Sequence, residues 1–248
     1  MDLYVGTSGY SYKEWKGNFY PEKFSEKAML GFYAQHFNSC EINATFYRMP
    51  NQTTLEKWAQ EVPAGFSFCL KLSQRITHQK RLKEAGELVE YFSKTARFLG
   101  EKLGPILVQL PPNLKRDDPR LISFLELVPS DLKLAFEFRH DSWATPEVQD
   151  ILQKRGAALV LSDDEEEPAE GAEAKKPGER ELPNIISTAD WGYLRLRRCD
   201  YNDVEVAEWA RRIKTQPWRA AFVYFKHEDD GTGPDLAQRF QKIWAAPG

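Results

Sequence analysis

Glu41, Lys71, Gln109, Glu137, Arg139, Arg195 and Lys226 are polar or charged residues set within, or just after, short runs that are otherwise apolar. A strand buried on both faces reads as a continuous apolar run, so each ionisable side chain placed in one carries a desolvation cost that ordinary packing avoids. Two carboxylates among several cations are the material of acid/base chemistry. The excess of Lys and Arg over carboxylate favours an anionic substrate such as a phosphate ester, a carboxylate or a nucleic-acid backbone. Glu41 and Glu137 are the candidate proton-transfer groups, with His140 as a third catalytic candidate. Lys71, Arg139, Arg195 and Lys226 are the candidate anion-holding groups, Asn43, His78 and Gln109 are further polar contacts, and Tyr47 and Trp143 offer rings to stack on a substrate.

A structural reading competes with this one. Buried charges occur mostly when paired, and Glu41 and Glu137 satisfied by Lys71, Arg139 and Arg195 would form an ion network without chemistry. A glycosidase-like carboxylate pair is disfavoured, because Lys71 and Arg139 would hold both groups ionised where a general acid needs a raised pKa. The histidines are His36, His78, His140 and His227, with no HExxH spacing among them. No cofactor is therefore expected, and a single divalent metal held by Glu41 or Glu137 with His78, His140 or His227 stands as the alternative. Ser142 adjoins His140 but lacks a GxSxG elbow; it belongs to a helix start in which Thr145, before Pro146, is the favoured cap. The loop Gly6 to Tyr10 could turn backbone N–H groups toward an anion, although it lacks the lysine and spacing of a P-loop and reads first as a plain turn. Tyr10, Tyr12, Trp15 and Phe46 are either rim aromatics or core filler.

Eight short β-rich runs would position these groups: Leu3 to Gly6, Cys40 to Phe46, Phe66 to Leu72, Ile106 to Leu110, Leu134 to Phe138, Ala158 to Leu161, Tyr193 to Arg197 and Ala221 to Phe225. They alternate with segments of helical period, including Glu84 to Leu99 with Leu88, Tyr91, Phe92, Thr95 and Phe98 as its apolar stripe, Val204 to Lys214, and Asp235 to Trp244. That alternation predicts an α/β fold of the (β/α)8 TIM-barrel type, and 248 residues suit one such domain spanning 1–248. Period two puts Glu41, Asn43 and Thr45 on one face, as it does Glu137 with Arg139 and Arg195 with Arg197. If that face is the barrel axis, the polar residues gather at the C-terminal mouth where barrel enzymes carry their sites. Residues 163–183, acidic and nearly devoid of large apolar side chains, read as a solvated insertion after the sixth strand.

Hydrophobic residues make up 42% and charged residues 29% of the chain, the mixture of an ordinary globular domain. A formal net charge of -3 gives no global attraction to nucleic acid or to an anionic membrane, so anion binding must be local, and a basic cleft keeps nucleic acid among the candidate partners. Cys40, Cys69 and Cys199 are odd in number and widely spaced, which suits buried reduced thiols in a cytoplasmic protein. The start of the chain lacks a secretion signal and no run is long enough to span a membrane.

The segments GTSGYSYKEWKGNFYP (Gly6 to Pro21), CEINATFYRMP (Cys40 to Pro50), FSFCLKLSQRITH (Phe66 to His78), LVQLPPNL (Leu107 to Leu114) and FEFRHDSW (Phe136 to Trp143) resemble the bacterial and archaeal family known as domain of unknown function 72. The likeness spans nearly the whole chain, with its motifs in order. It implies a TIM-type barrel related in shape to the xylose isomerase and endonuclease IV group, without an established activity, and it marks Glu41, Asn43, Tyr47, Lys71, His78, Gln109, Glu137, Arg139, His140 and Trp143 as signature positions. Many members read roughly YxRxHG at strand seven and FNN after strand eight, where this chain has Tyr193-Leu194-Arg195-Leu196-Arg197-Arg198 and Phe225-Lys226-His227-Glu228. Those departures make this wall more cationic. The metal cluster of the endonuclease-like relatives needs more ligands than four histidines supply. The leading expectation is an enzyme, hydrolase- or isomerase-like, acting on a small phosphorylated substrate; the alternatives are a nucleic-acid-binding barrel and a non-catalytic scaffold.

Overall fold

A computed structural model describes residues 1–163, 181–226 and 231–246. Strands β1 (Asp2–Thr7), β2 (Ser39–Ile42), β3 (Ser67–Lys71), β4 (Leu103–Gln109), β5 (Leu134–Glu137), β6 (Ala158–Leu159), β7 (Leu161–Asp163), β8 (Trp191–Leu196) and β9 (Ala220–Phe225) are set, among the described residues, with several short 3-10 and π turns and eight α-helices. These are α1 (Met29–His36), α2 (Ala44–Tyr47), α3 (Gln52–Glu61), α4 (Gly86–Ala96), α5 (Asp118–Leu127), α6 (Pro146–Arg155), α7 (Asp203–Lys214) and α8 (Thr232–Ala245). Every strand pair is parallel, and the strands form two sheets, ordered β1-β9-β8-β7 and β2-β3-β4-β5-β6. The fold is therefore α/β with parallel sheets. No described helix is long and apolar enough to cross a membrane.

The hydrogen-bond ladders do not run continuously around the molecule, and two local features explain why. The sixth apolar run divides at Val160, whose N–H bonds to the Phe136 carbonyl at 2.8 Å; β6 thereby extends the β5 ladder while β7 turns to β8. At the opposite seam, side chains stand between β1 and β2. Asn38 accepts from Val5 N–H at 2.9 Å and donates to the Leu3 carbonyl at 2.7 Å. The Tyr33 hydroxyl accepts from Thr7 N–H at 2.8 Å and donates to the Ser39 carbonyl at 3.0 Å. Among the described residues, direct backbone pairing between these two strands returns at their C-terminal ends, where Ser8 bridges Glu41 and Gly9 N–H reaches the Glu41 carbonyl at 2.7 Å.

Alternation along the strands sorts the core into two clusters. Residues such as Val5, Phe68, Val108, Phe136, Leu194 and Val223 pack toward the helices. Cys69, Leu107, Ala135, Ala158, Tyr193, Phe222 and Tyr224 form a second cluster drawn from both sheets. Two residues further along each strand, on this same inner face, stand Lys71, Gln109, Glu137, Arg195 and Lys226, so the polar set is the next layer above an apolar plug.

Local chemistry starts and stops the helices as expected. Thr145 caps α6 ahead of Pro146, and Gly156 ends it at φ 67°. Asn202 and Glu205 form a capping box on α7. Val206, Trp209, Ala210 and Ile213 are buried on α7, as are Leu236 and Phe240 on α8.

Several expectations need correction. The second strand ends at Ile42, so Asn43 and Thr45 lie in the turn and first residues of α2 and do not share a strand face with Glu41. Arg139 and Arg197 likewise follow their strands. The buried stripe of α4 is Val89, Phe92, Ser93, Thr95 and Ala96; Tyr91 and Phe98 are exposed, because the helix starts at Gly86 and tightens into a 3-10 turn at Arg97. Asp163, expected in a solvated insertion, is a buried β7 residue bonded to Arg198 and Tyr201. The expected insertion itself, 164–180, lies outside the described residues, and of residues 181–183 Leu182 is buried. Cys199 is exposed, unlike Cys40 and Cys69.

The seam makes a direct demand on Gly6. A Cβ there would lie 1.9 Å from the Ser39 carbonyl oxygen and 2.6 Å from the Tyr33 hydroxyl. Gly6→Ala is expected to cost about 3 kcal/mol by forcing β1 away from β2, read as a lower urea midpoint with an unchanged slope.

Candidate functional site

The centre of the polar layer is Arg195, 1% exposed on β8. Its Nη1 donates to Glu137 Oε2 at 2.6 Å and its Nη2 to Glu41 Oε1 at 2.9 Å, so one planar guanidinium bridges carboxylates from β5 and β2. Glu41 also accepts from Ser8 Oγ at 2.7 Å and from the Tyr193 hydroxyl at 2.7 Å. Glu137 Oε1 lies 2.6 Å from Arg139 Nη2. The two carboxylates, one near the end of each of two separate strands, are thus held on a common cation.

Electrostatics follow from this geometry. Burial is the largest influence on Glu41 and would raise its pKa, but the Arg195 charge and the bonds from Ser8 and Tyr193 outweigh it and leave the group below its ordinary value. Burial likewise opposes ionisation of Glu137, yet Arg195, Arg139 and a hydrogen bond from Gln109 bring its pKa down to about 2. The two carboxylates raise the Arg195 pKa against its own burial. Both acids are ionised at neutral pH and neither is a proton donor there, which removes the general acid of a glycosidase-like pair.

Lys71, at the end of β3, was expected to hold these carboxylates ionised; Arg195 and Arg139 do so instead. No carboxylate among the described residues lies within 4.0 Å of the Lys71 ammonium, whose Nζ stands 4.2 Å from the centroid of the Phe46 ring. Burial, then repulsion by Arg195, lowers its pKa to about 8, with Glu41 and Glu137 pulling the other way and Lys226 adding to the fall. His78 meets the same Phe46 ring edge-on at 4.9 Å, and its Nδ1 is 2.8 Å from the Thr77 hydroxyl. Burial and the neighbouring Lys71 and Arg81 lower its pKa, so it is neutral at pH 7.

Asn43, in the turn after β2, keeps a buried Oδ1 with no hydrogen-bond partner among the described residues. Gln109 ends β4 in register with Glu137. Arg139 remains partly exposed, and Lys226 follows β9 at the rim. His140 is partly buried, and its Nδ1 accepts from Ser142 N–H at 3.1 Å, so a neutral ring carries its hydrogen on Nε2. His227 lies outside the described residues. Among those described, no three His, Cys, Asp or Glu side chains cluster as a metal site.

Other expected contacts do not converge here. Trp143 is buried, donates its indole N–H to the Leu114 carbonyl at 2.7 Å and stacks on Phe138 at 4.7 Å, so it is core. Trp15 is fully buried among Phe19 and Tyr20. Tyr47 is 71% exposed, outside the layer. Ser142 caps no helix; its hydroxyl accepts from Arg116 N–H at 2.8 Å. The Gly6 to Tyr10 loop offers no anion cradle, since the N–H groups of Thr7, Ser8 and Gly9 are already bonded to Tyr33, Phe225 and Glu41. Sequence reasoning missed Ser8 and Tyr193 as partners of Glu41. Tyr193 sits two residues before Arg195, and that period-two spacing was the available signal.

A parallel α/β fold whose strand ends carry a buried, arginine-bridged carboxylate pair defines the class of protein. The chain belongs to the family described as protein of unknown function DUF72, whose family model matches residues 4–247. It is similar to the UPF0759 protein YecE of Escherichia coli strain K12, 28% identical over 198 residues covering 74% of this chain and 68% of that protein. It is also similar to the UPF0759 protein YunF of Bacillus subtilis, 24% identical over 280 residues covering 97% of this chain and 94% of that protein. A DUF72 family protein from Thermotoga maritima superimposes with a TM-score of 0.80 at 26% identity, covering 99% of this chain and all of that one. One from Enterococcus faecalis gives 0.76 at 19% identity, covering 99% and 98%, and shares the fold.

The bridge should govern acid stability. Glu137 falls from an unfolded value of 4.5 to about 2, so its contribution is complete above pH 4.5 and lost as pH falls toward 2. That contribution is about 3 kcal/mol. Urea midpoints measured between pH 6 and 3 should fall steeply, and Glu137→Gln should flatten the fall. Arg195→Met, which strands two buried carboxylates, should cost about 3–5 kcal/mol at pH 7.

Proposed function

We propose that the two sheets are the halves of a (β/α)8 barrel and that the mouth above its apolar plug binds a small anionic, phosphorylated substrate on which the protein acts as an enzyme. The observation that carries this reading is the charge balance of the layer. Glu41 and Glu137 are matched by Arg195 and Arg139, and Lys71 adds a further cation with no carboxylate within ion-pair distance among the described residues. An ammonium that burial and Arg195 destabilise in this way gains most from an arriving anion.

Arg195 is not an anion holder in this reading. Both of its Nη atoms are committed to carboxylates, and its role is to fix Glu41 and Glu137. The anion falls instead to Lys71 at the end of β3, with Arg139 after β5 and Lys226 after β9. The buried Asn43 Oδ1 is placed to accept a hydroxyl hydrogen from a sugar-like substrate. His78 and His140, neither engaged by a carboxylate among the described residues, replace the two glutamates as the better candidates for proton transfer. A hydrolase- or isomerase-like reaction is consistent with this set, and the buried Cys40 and Cys69 thiols suit a cytoplasmic setting.

Thermal unfolding in 10 mM ribose 5-phosphate or glycerol 3-phosphate tests the reading. A site of about 1 mM affinity would raise the midpoint by about 3 °C. Lys71→Met should remove the shift. Because Lys71 loses its proton as pH rises through about 8, affinity should weaken above that pH, and Lys71→Arg should move the weakening to higher pH. A steeply salt-dependent shift with oligonucleotides and none with phosphate esters would replace this reading with nucleic-acid binding.

A further inference from the structure

Lys71 combines features that an electrostatic anchor does not need. Its Nζ lies over the Phe46 ring and has no carboxylate partner within 4.0 Å among the described residues, yet the side chain keeps partial exposure at a strand's C-terminal end. A lysine placed only to hold charge is served best by a carboxylate or by water. One largely shut away from water, with no carboxylate at ion-pair distance among the described residues and with Arg195 and Lys226 nearby, is instead driven toward the neutral amine, the form that attacks carbonyl carbon; the Phe46 face, which favours the ammonium, opposes that drive. The groups facing it are Glu41 on β2, Glu137 on β5, Arg195 on β8, Lys226 after β9 and His78 in the turn after β3.

We infer that Lys71 is a nucleophile that forms an imine with the carbonyl carbon of a small anionic aldehyde or ketone bound at the mouth. This deepens the anionic-substrate reading and rests on it for the substrate's charge. The neutral Nζ donates its lone pair to the carbonyl carbon, the C=O π pair moves to oxygen, and the proton lost from nitrogen passes to that oxygen, giving a carbinolamine. The C–O bond then breaks as the oxygen takes a second proton, the one that the ammonium released to solvent, and leaves as water. The nitrogen lone pair closes the C=N bond. In sum, ammonium plus carbonyl gives protonated imine plus water, with no oxidant or reductant. Near pH 8 both forms of Lys71 are populated, so the charged form favours approach of the anion and the neutral form reacts.

The test uses the full chain with glyceraldehyde 3-phosphate and sodium cyanoborohydride at pH 7, reading the modified lysines by peptide mass spectrometry. The larger free-amine fraction, offset by lower intrinsic nucleophilicity, should make Lys71 react about tenfold faster than the exposed lysines. Inorganic phosphate should suppress that labelling. Lys71→Arg, which keeps the cation, should abolish it while the protein retains a cooperative thermal transition. Labelling of Lys71 no faster than of Lys23 or Lys57 would overturn the inference, even if phosphate esters still stabilise the protein. Selective labelling that occurs equally with uncharged glyceraldehyde and resists phosphate would uphold the nucleophile and overturn the anionic substrate.

Discussion

Arg195 sits at the point where three strands from two sheets must agree. Its guanidinium takes one oxygen of Glu41 from β2 and one of Glu137 from β5, while its backbone belongs to β8. In a layer this dry, each carboxylate alone would be costly, and the two together would repel. One cation resolves both problems at once, but only with β2, β5 and β8 at fixed mutual heights. The inward alternation of the strands, the close approach at Gly6 and the apolar plug below all serve that geometry. Ser8 and Tyr193 then occupy remaining lone pairs of Glu41, leaving the carboxylate little freedom to do anything except hold position.

This changes what the acidic pair means. Two glutamates at strand ends suggest proton transfer, yet ion pairing drives both toward permanent ionisation, and their chemistry becomes that of a scaffold. Lys71, His78, His140 and the Asn43 carbonyl stand outside that bridge, and among the described residues none of them is bonded to either glutamate. The structural network, which competes with a catalytic reading of the sequence, accounts for both glutamates and for Arg195.

Much of this was legible beforehand because it follows from period. A polar residue interrupting an apolar run marks the strand end, and spacing by two assigns it to the inner face; Glu41, Lys71, Gln109, Glu137 and Arg195 were found in this way. What escaped depends on contacts between distant segments. No spacing rule says that Arg195 rather than Lys71 reaches both carboxylates, since that turns on side-chain length and strand register across two sheets. Trp143 looked like a rim aromatic by its place after β5, but its indole N–H finds the Leu114 carbonyl 29 residues away, which commits it to the core. The sixth strand looked whole because Ala158 to Leu161 is uniformly apolar, and a break made by one backbone hydrogen bond at Val160 leaves no compositional trace.

The order of strands in the two sheets has a consequence for how the protein comes into being. The five strands β2 to β6 are neighbours in sequence as well as in space, so their sheet can form while later segments are still being synthesised. β1 has no such option, because its backbone ladder is with β9, more than two hundred residues downstream. Until β8 and β9 emerge, Glu41 and Glu137 lack their shared counter-ion and keep their hydration, and the first sheet carries an unfinished, wet face. Pairing with Arg195 waits for β8, so assembly of the charged layer depends on contacts between segments far apart in sequence.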